Sequence, residues 1–192
     1  PFPAADAAGP TATCSFSVTV TDTQAPAIAC PANITVGNDA GLCSAVATYS
    51  APVGTDNCPG ATTTQTAGLA SGSAFPVGTT INTFMVTDAA GNSVSCSFSV
   101  TVSDNQAPTI AGCPANITLT NATGVCGAVA TWTAPITADN CAATISQTGG
   151  LASGSTFPIG VSTVTYTAVD AAGNTARSEE HTSELQSRYA IS

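Results

Sequence analysis

The sequence predicts an all-β protein, a tandem of small antiparallel sandwiches, and three observations carry that prediction. The stretch Cys96-Ser-Phe-Ser-Val-Thr-Val102 alternates apolar and hydroxyl side chains, and the same seven residues stand at 14–20. A period of two sends every apolar side chain to one face of a β-strand and every hydroxyl to the other. The chain also repeats itself. Cys30, Cys43 and Cys58 stand 83 residues before Cys113, Cys126 and Cys141, and Asp88-Ala-Ala-Gly-Asn92 stands 82 before Asp170-Ala-Ala-Gly-Asn174. Finally, Gly, Pro, Asn and Asp interrupt β-branched segments at intervals of roughly eight to twelve residues, with no 3.6-residue period between them.

Taken in order, residues 1–22 read as the tail of an earlier repeat, because Asp6-Ala-Ala-Gly9 lies 82 residues before Asp88. A complete repeat is expected over 23–104. Its strand signals are Ile34 and Val36, a stretch at 46–49, the Thr-rich run 61–66, Phe84 and Val86 alternating with Thr83, Met85 and Thr87, and the 96–102 strand. A second repeat is expected over 105–176, where Val164, Tyr166 and Ala168 share one strand face. Seven or so short strands in about eighty residues, repeated in tandem, describe immunoglobulin-like antiparallel β-sandwiches and not a solenoid. The junction through Pro108 has no Gly/Ser linker, so a semi-rigid string of domains is expected.

Charge excludes several functions. The net charge is −9, and residues 1–176 contain eight Asp and no Lys, Arg, His or Glu. A surface without cations cannot neutralise phosphates, which excludes nucleic-acid partners and anionic membrane surfaces. No apolar run is long enough for membrane insertion as a helix. Without His or Lys, no base is present to activate a Ser nucleophile, and no Asp spacing suggests a carboxylate pair, so no enzyme is expected. Eight Cys at repeating spacing, with no C-x-x-C pair and no nearby His, point to disulfides in an oxidising compartment and not to zinc. Four Cys per repeat leave three connectivities open.

The ordered motifs Ala-Pro, Cys-Pro-Ala-Asn-Ile-Thr, Asp-Asn, Phe-Pro-Val-Gly, Thr-Asp-Ala-Ala-Gly-Asn and Cys-Ser-Phe-Ser-Val-Thr-Val resemble the hyalin repeat, or HYR, family. The resemblance covers both repeats and the N-terminal remnant; it departs where Pro10 replaces the turn Asn, and where the second repeat lacks its Cys-bearing final strand. It implies an extracellular immunoglobulin-like module of a large secreted or cell-surface protein, here expected to be bacterial, acting as a semi-rigid spacer or adhesion array. The alternative is an accessory glycan- or calcium-binding module beside a secreted enzyme. Expected partners are neighbouring repeats of the same chain, with surface glycans or matrix proteins beyond them. The resemblance also implies pairing of Cys30 with Cys96; Cys43 with Cys58 and Cys126 with Cys141 are then expected, leaving Cys14 and Cys113 without partners. From Arg177 onward the chain resembles a translated sequencing adapter, so 177–192 is expected to be an artefactual, disordered tail on a fragment.

Asp88 and Asn92, with Asp170 and Asn174, flank Gly-containing turns, and the ordinary reading is a turn capped by its Asp. No cofactor or resident metal is expected. The alternative is a weak Ca²⁺ site, to which Asp56-Asn57 or Asp139-Asn140 would add oxygens if that loop folds nearby. Asn33, Asn116 and Asn121 fit the N-glycosylation pattern. Trp132 reads as core before it reads as a sugar platform.

Overall fold

In the computed structural model, residues 14–178 are described. Residues 1–13 and 179–192, which contain most of the expected remnant and tail, lie outside the described residues. The first repeat forms strands β1 (Ile34–Gly37), β2 (Ser44–Val46), β3 (Thr62–Ala67), β4 (Ala74–Pro76), β5 (Gly78–Thr87) and β6 (Ser93–Ser103). One sheet has the order β1-β6-β5-β3, and β2 pairs with β4 in a second. β5 and β6 form an antiparallel hairpin ten pairs long, from Gly78↔Val102 to Thr87↔Ser93. Its turn is Asp88-Ala-Ala-Gly-Asn92, where Gly91 adopts a φ of 95° that a side chain would disfavour.

The alternation in the sequence becomes the division between core and surface. Phe98, Val100 and Val102 are buried on β6, and Phe84 and Val86 on β5. Phe75 on β4 and Ala45 on β2 close the core from the other side. Tyr49 packs edge-on against Phe84 and Phe98, with centroids 6.2 and 4.9 Å apart, and donates its hydroxyl to the Leu69 carbonyl at 2.6 Å. The expected strand at 46–49 ends earlier, at Val46, and beyond it the Tyr49 N–H is donated to the Ser71 hydroxyl at 2.8 Å and not to a partner strand.

β1 runs parallel to β6, from Ile34↔Val100 to Gly37↔Ser103, in contrast to the antiparallel pairs elsewhere. The Cys30–Cys96 disulfide continues that register, since it spans the same 66 residues. Thus the cross-link and the parallel ladder describe one alignment.

The second repeat forms β7 (Thr109–Ala111), β8 (Gly127–Val129), β9 (Ile136–Ala138), β10 (Ala143–Gly149), β11 (Thr156–Pro158), β12 (Thr165–Asp170) and β13 (Thr175–Arg177). Its largest sheet is β10-β12-β13, with β8 paired to β11 and β7 to β9. Arg177, the first residue of the expected tail, therefore lies within a strand, opposite Thr167. By the repeat offset β13 corresponds to the first three residues of β6. Residues 113–121 form no strand. A cavity of about 650 Å³ opens here, lined by Cys113, Ile117, Trp132, Phe157, Tyr166 and Ser178 among others. By the repeat offsets these six match Cys30, Ile34, Tyr49, Phe75, Phe84 and Cys96, which pack in the first repeat's core.

Residues 14–20 form no strand, and Phe16, Val18 and Val20 are 86, 76 and 91% exposed. Identical residues at 96–102 are ordered by β1 and β5 on either side. An alternating stripe without a partner ladder has nothing to bury against.

Two pairings expected from the sequence are replaced. Cys43 is bonded to Cys141 across the two repeats, not to Cys58, and Cys126 is a free thiol, not the partner of Cys141. The reason is position. Cys43 leaves the 38–43 turn at the exit end of the first repeat, where Gly41 N–H donates to Gln106 Oε1 and Asn140 Nδ2 donates to the Leu42 carbonyl, both at 3.1 Å. Cys58 lies at the entry end, beside Asp22 and Asp56, with its N–H donating to Asp56 Oδ2 at 2.9 Å. Cys14 and Cys113 are exposed free thiols.

Candidate functional site

The junction between the repeats gathers the chain's recurring polar residues. β6 ends at Ser103, and Asp104 follows it with a two-residue turn in which Oδ1 accepts from Gln106 N–H at 3.1 Å. The 139–141 loop is built alike, with Asp139 Oδ2 accepting from Cys141 N–H at 3.2 Å. The hairpin turn between β12 and β13 supplies the third acid. Asp170 Oδ1 accepts from Asn174 N–H at 2.8 Å and Oδ2 from Asn174 Nδ2 at 2.7 Å. Asn174 Nδ2 also donates to the Asp104 carbonyl at 3.2 Å, so this one amide clasps the turn to the end of the preceding strand.

The structure brings Asp139 and Asp170 together with Asp104, one oxygen of each lying within 4.8 Å of the others. Asp104 and Asp170 are buried, and Asp104 Oδ2 and Asn140 Oδ1 are buried without a hydrogen-bond partner. For Asp170, desolvation is the largest single influence and raises its pKa. The donors from Asn174, Gly173 and Ala172 together outweigh it and leave the carboxyl below its ordinary 3.8.

The same geometry occurs at the entry to the first repeat. Asp22, Asp56 and Cys58 converge there, and Asn92 clasps Asp88 Oδ2 at 2.8 Å and the Asp22 carbonyl at 3.2 Å. Asp88 is held low in the same way as Asp170, with desolvation opposed by Asn92, Gly91 and Ala90. The difference is sulfur. A hydrogen bond to Asp22 is the main influence raising the Cys58 thiol above its ordinary value, followed by desolvation and the charges of Asp22, Asp56 and Asp88. Cys141, being oxidised, has no proton to give.

Of the candidate cation ligands expected from the sequence, Asp139 and Asp170 thus meet, whereas Asn92 and Asn174 turn nitrogen toward the acids and serve as clasps. Asp22 and Asp104 were missing from that set. The available signal was that Asp22 and Asp104 stand 82 residues apart, in a chain with only eight Asp. Asn33 caps the sheet edge through Oδ1, accepting from Ser99 N–H at 2.9 Å. Trp132 is half-buried, packs against Phe157 and donates Nε1–H to the Tyr166 hydroxyl at 2.8 Å. Among the described residues there is no His or Lys to activate a nucleophile.

Residues 21–102 and 103–181 each match the HYR domain. The chain belongs to the HYR domain family. Over 177 residues it is 34% identical to hyalin of Strongylocentrotus purpuratus, a match covering 90% of this chain and 15% of hyalin. Hyalin of Lytechinus variegatus is 31% identical over 180 residues, covering 91% of this chain and 34% of that protein. The sushi, von Willebrand factor type A, EGF and pentraxin domain-containing protein 1 of Rattus norvegicus is 31% identical over 163 residues, 83% of this chain and 4% of the relative. The HYR chain therefore spans only a small part of these relatives. All are animal proteins, and the expected bacterial source finds no support in them. HYR membership and the disulfides place the chain outside the cell or at its surface.

Proposed function

We propose that this HYR pair is a non-catalytic, semi-rigid segment of an extracellular adhesion array, whose work is to fix the spacing and orientation of what it joins. The observation that carries this reading is the Cys43–Cys141 bond, which ties neighbouring repeats at a second point besides the chain itself. Two connections suppress the swivelling that a single peptide linker permits. The hydrogen bonds of Gly41 with Gln106 and of Asn140 with Leu42 flank the bridge on the same face. Its closed loop of 98 residues corresponds to a stabilisation of about 4.7 kcal/mol on the chain-entropy account. The paired hydroxyls Thr79–Thr101 and Thr83–Ser97 give the exposed sheet face an uncharged, hydrogen-bonding surface suited to contact with other neutral polar surfaces.

Small-angle scattering of the oxidised chain and of the Cys43→Ser/Cys141→Ser double variant tests the reading. The double variant should scatter as a broader set of interdomain distances while its circular dichroism is retained. Identical scattering from the two would overturn the proposal that the bridge sets the spacing.

A further inference from the structure

We propose that the second repeat takes up the 14–20 segment of another copy of this chain as a strand, so that copies join head to tail. In the first repeat, Phe98, Val100 and Val102 of β6 are buried between β1 and β5. The repeat offsets place 117–120 at the position of β1 and 160–164 at the first half of β5. Neither segment forms a strand, and both help to line the cavity of about 650 Å³. Ile117 and Leu119 are exposed, whereas their counterparts Ile34 and Val36 pack against the first core. Past Ser178 the sequence runs Glu179-Glu-His-Thr-Ser-Glu184, with no apolar side chain to fill that place.

The occupant is argued from identity. Residues 14–20 repeat 96–102 residue for residue, form no strand, and expose Phe16, Val18 and Val20. Set between 117–120 and 160–164, these three side chains stand where Phe98, Val100 and Val102 stand in the first core. An added strand brings main-chain hydrogen bonds to both walls and buries its apolar stripe between them. Cys14 then takes the position of Cys96, facing Cys113 in the position of Cys30. Both are exposed free thiols. Ser178, which accepts from Tyr166 N–H at 3.1 Å, gives up that position to Cys14.

The donor is a second copy because the chain's own segment cannot reach. Asn92 Nδ2 holds the Asp22 carbonyl at 3.2 Å at the entry of the first repeat, two residues after Val20. From that end, the 11 residues of β6 lead to the junction, about 36 Å away at a strand's rise. A two-residue tether reaches only about 7 Å. Donor and acceptor are therefore different surfaces at opposite ends, a heterologous contact that propagates into rings or filaments. Glutathione disulfide can seal each contact. One cysteine thiolate attacks it and expels a glutathione thiolate, and the other cysteine then displaces the second. Two protein thiols are oxidised, one glutathione disulfide is reduced, and the two protons pass to the released thiolates. This inference does not rest on the spacer reading, since it concerns contacts between chains and not within one.

Incubation of the full chain in a glutathione redox buffer, followed by non-reducing electrophoresis and peptide mapping, tests the contact. A ladder of oligomers joined by 14–113 linkages is expected. Phe16→Asp/Val18→Asp keeps both thiols and changes only exposed positions. It should slow the linkage about tenfold, because docking is what raises the local concentration of the two thiols. Cys14→Ser/Cys113→Ser should still associate reversibly with rising concentration in sedimentation. A statistical mixture of 14–14, 14–113 and 113–113 linkages would overturn the proposal. So would an unchanged linkage rate in the Asp variant, or a Ser variant that stays monomeric throughout.

Discussion

Asp88 and Asp170 show how one carboxylate can organise a hairpin. Each accepts a backbone N–H and a side-chain N–H from the Asn four residues on, and that Asn in turn grips the segment entering its repeat. Both groups titrate below their ordinary 3.8 when folded. A depressed folded-state pKa means stability is fully present above the unfolded value and is lost as pH falls through the folded one. Stability should therefore be level above about pH 5 and decline below pH 4, and Asp88→Asn should flatten the first repeat's share of that decline. Acid melts followed by circular dichroism measure this; an identical pH profile for the variant would refute it. Asn82 gives a second test. It is fully buried, and its Oδ1 accepts from Leu69 N–H at 2.8 Å and from Gln65 Nε2 at 3.3 Å. Asn82→Ala strands the Leu69 donor and should cost about 1–3 kcal/mol in a denaturant melt.

At the scale of strands, the period-two pattern was enough to find β5, β6 and β12 and to assign their buried faces, since packing there follows from alternation alone. What it could not show was which strands find partners. Residues 14–20 carry the sequence of the 96–102 segment of β6 and remain exposed, because strand formation depends on neighbours that a local pattern does not contain. The second repeat makes the same point from the opposite side. Its β13 covers only the start of the β6 position, and Ser178 occupies the place of Cys96, with its Oγ accepting from Tyr166 N–H at 3.1 Å. Because Ser178 and Cys113 line one cavity, Ser178→Cys should form a disulfide with Cys113 that repeats the Cys30–Cys96 bond. Mass spectrometry should find the 113–178 linkage, with a stabilisation of about 3–5 kcal/mol in the second repeat on melting. A variant that retains both thiols would show that the cavity walls do not approach as they do in the first repeat.

For the whole molecule, the decisive cross-link was invisible in the sequence. Spacing within one repeat suggests internal pairs, whereas Cys43 and Cys141 meet only because the 38–43 turn and the 139–141 loop abut across a junction. This bond reroutes force. Pulling on the two ends of the oxidised chain loads residues up to Cys43, crosses the bridge, and resumes at Cys141, so most of both sandwiches is bypassed. Breaking that bond alone shifts the load to the Cys30–Cys96 bridge and adds the segment from Cys96 to Cys141 while removing that from Cys30 to Cys43. The path lengthens by about 32 residues, or roughly 110 Å at ~3.5 Å per extended residue. Single-molecule extension of the Cys43→Ser/Cys141→Ser variant should show that added contour length against the oxidised chain. Equal contour lengths would mean that the repeats are not bridged in solution, and the spacing of the array would then rest on the Pro108 junction and its hydrogen bonds alone.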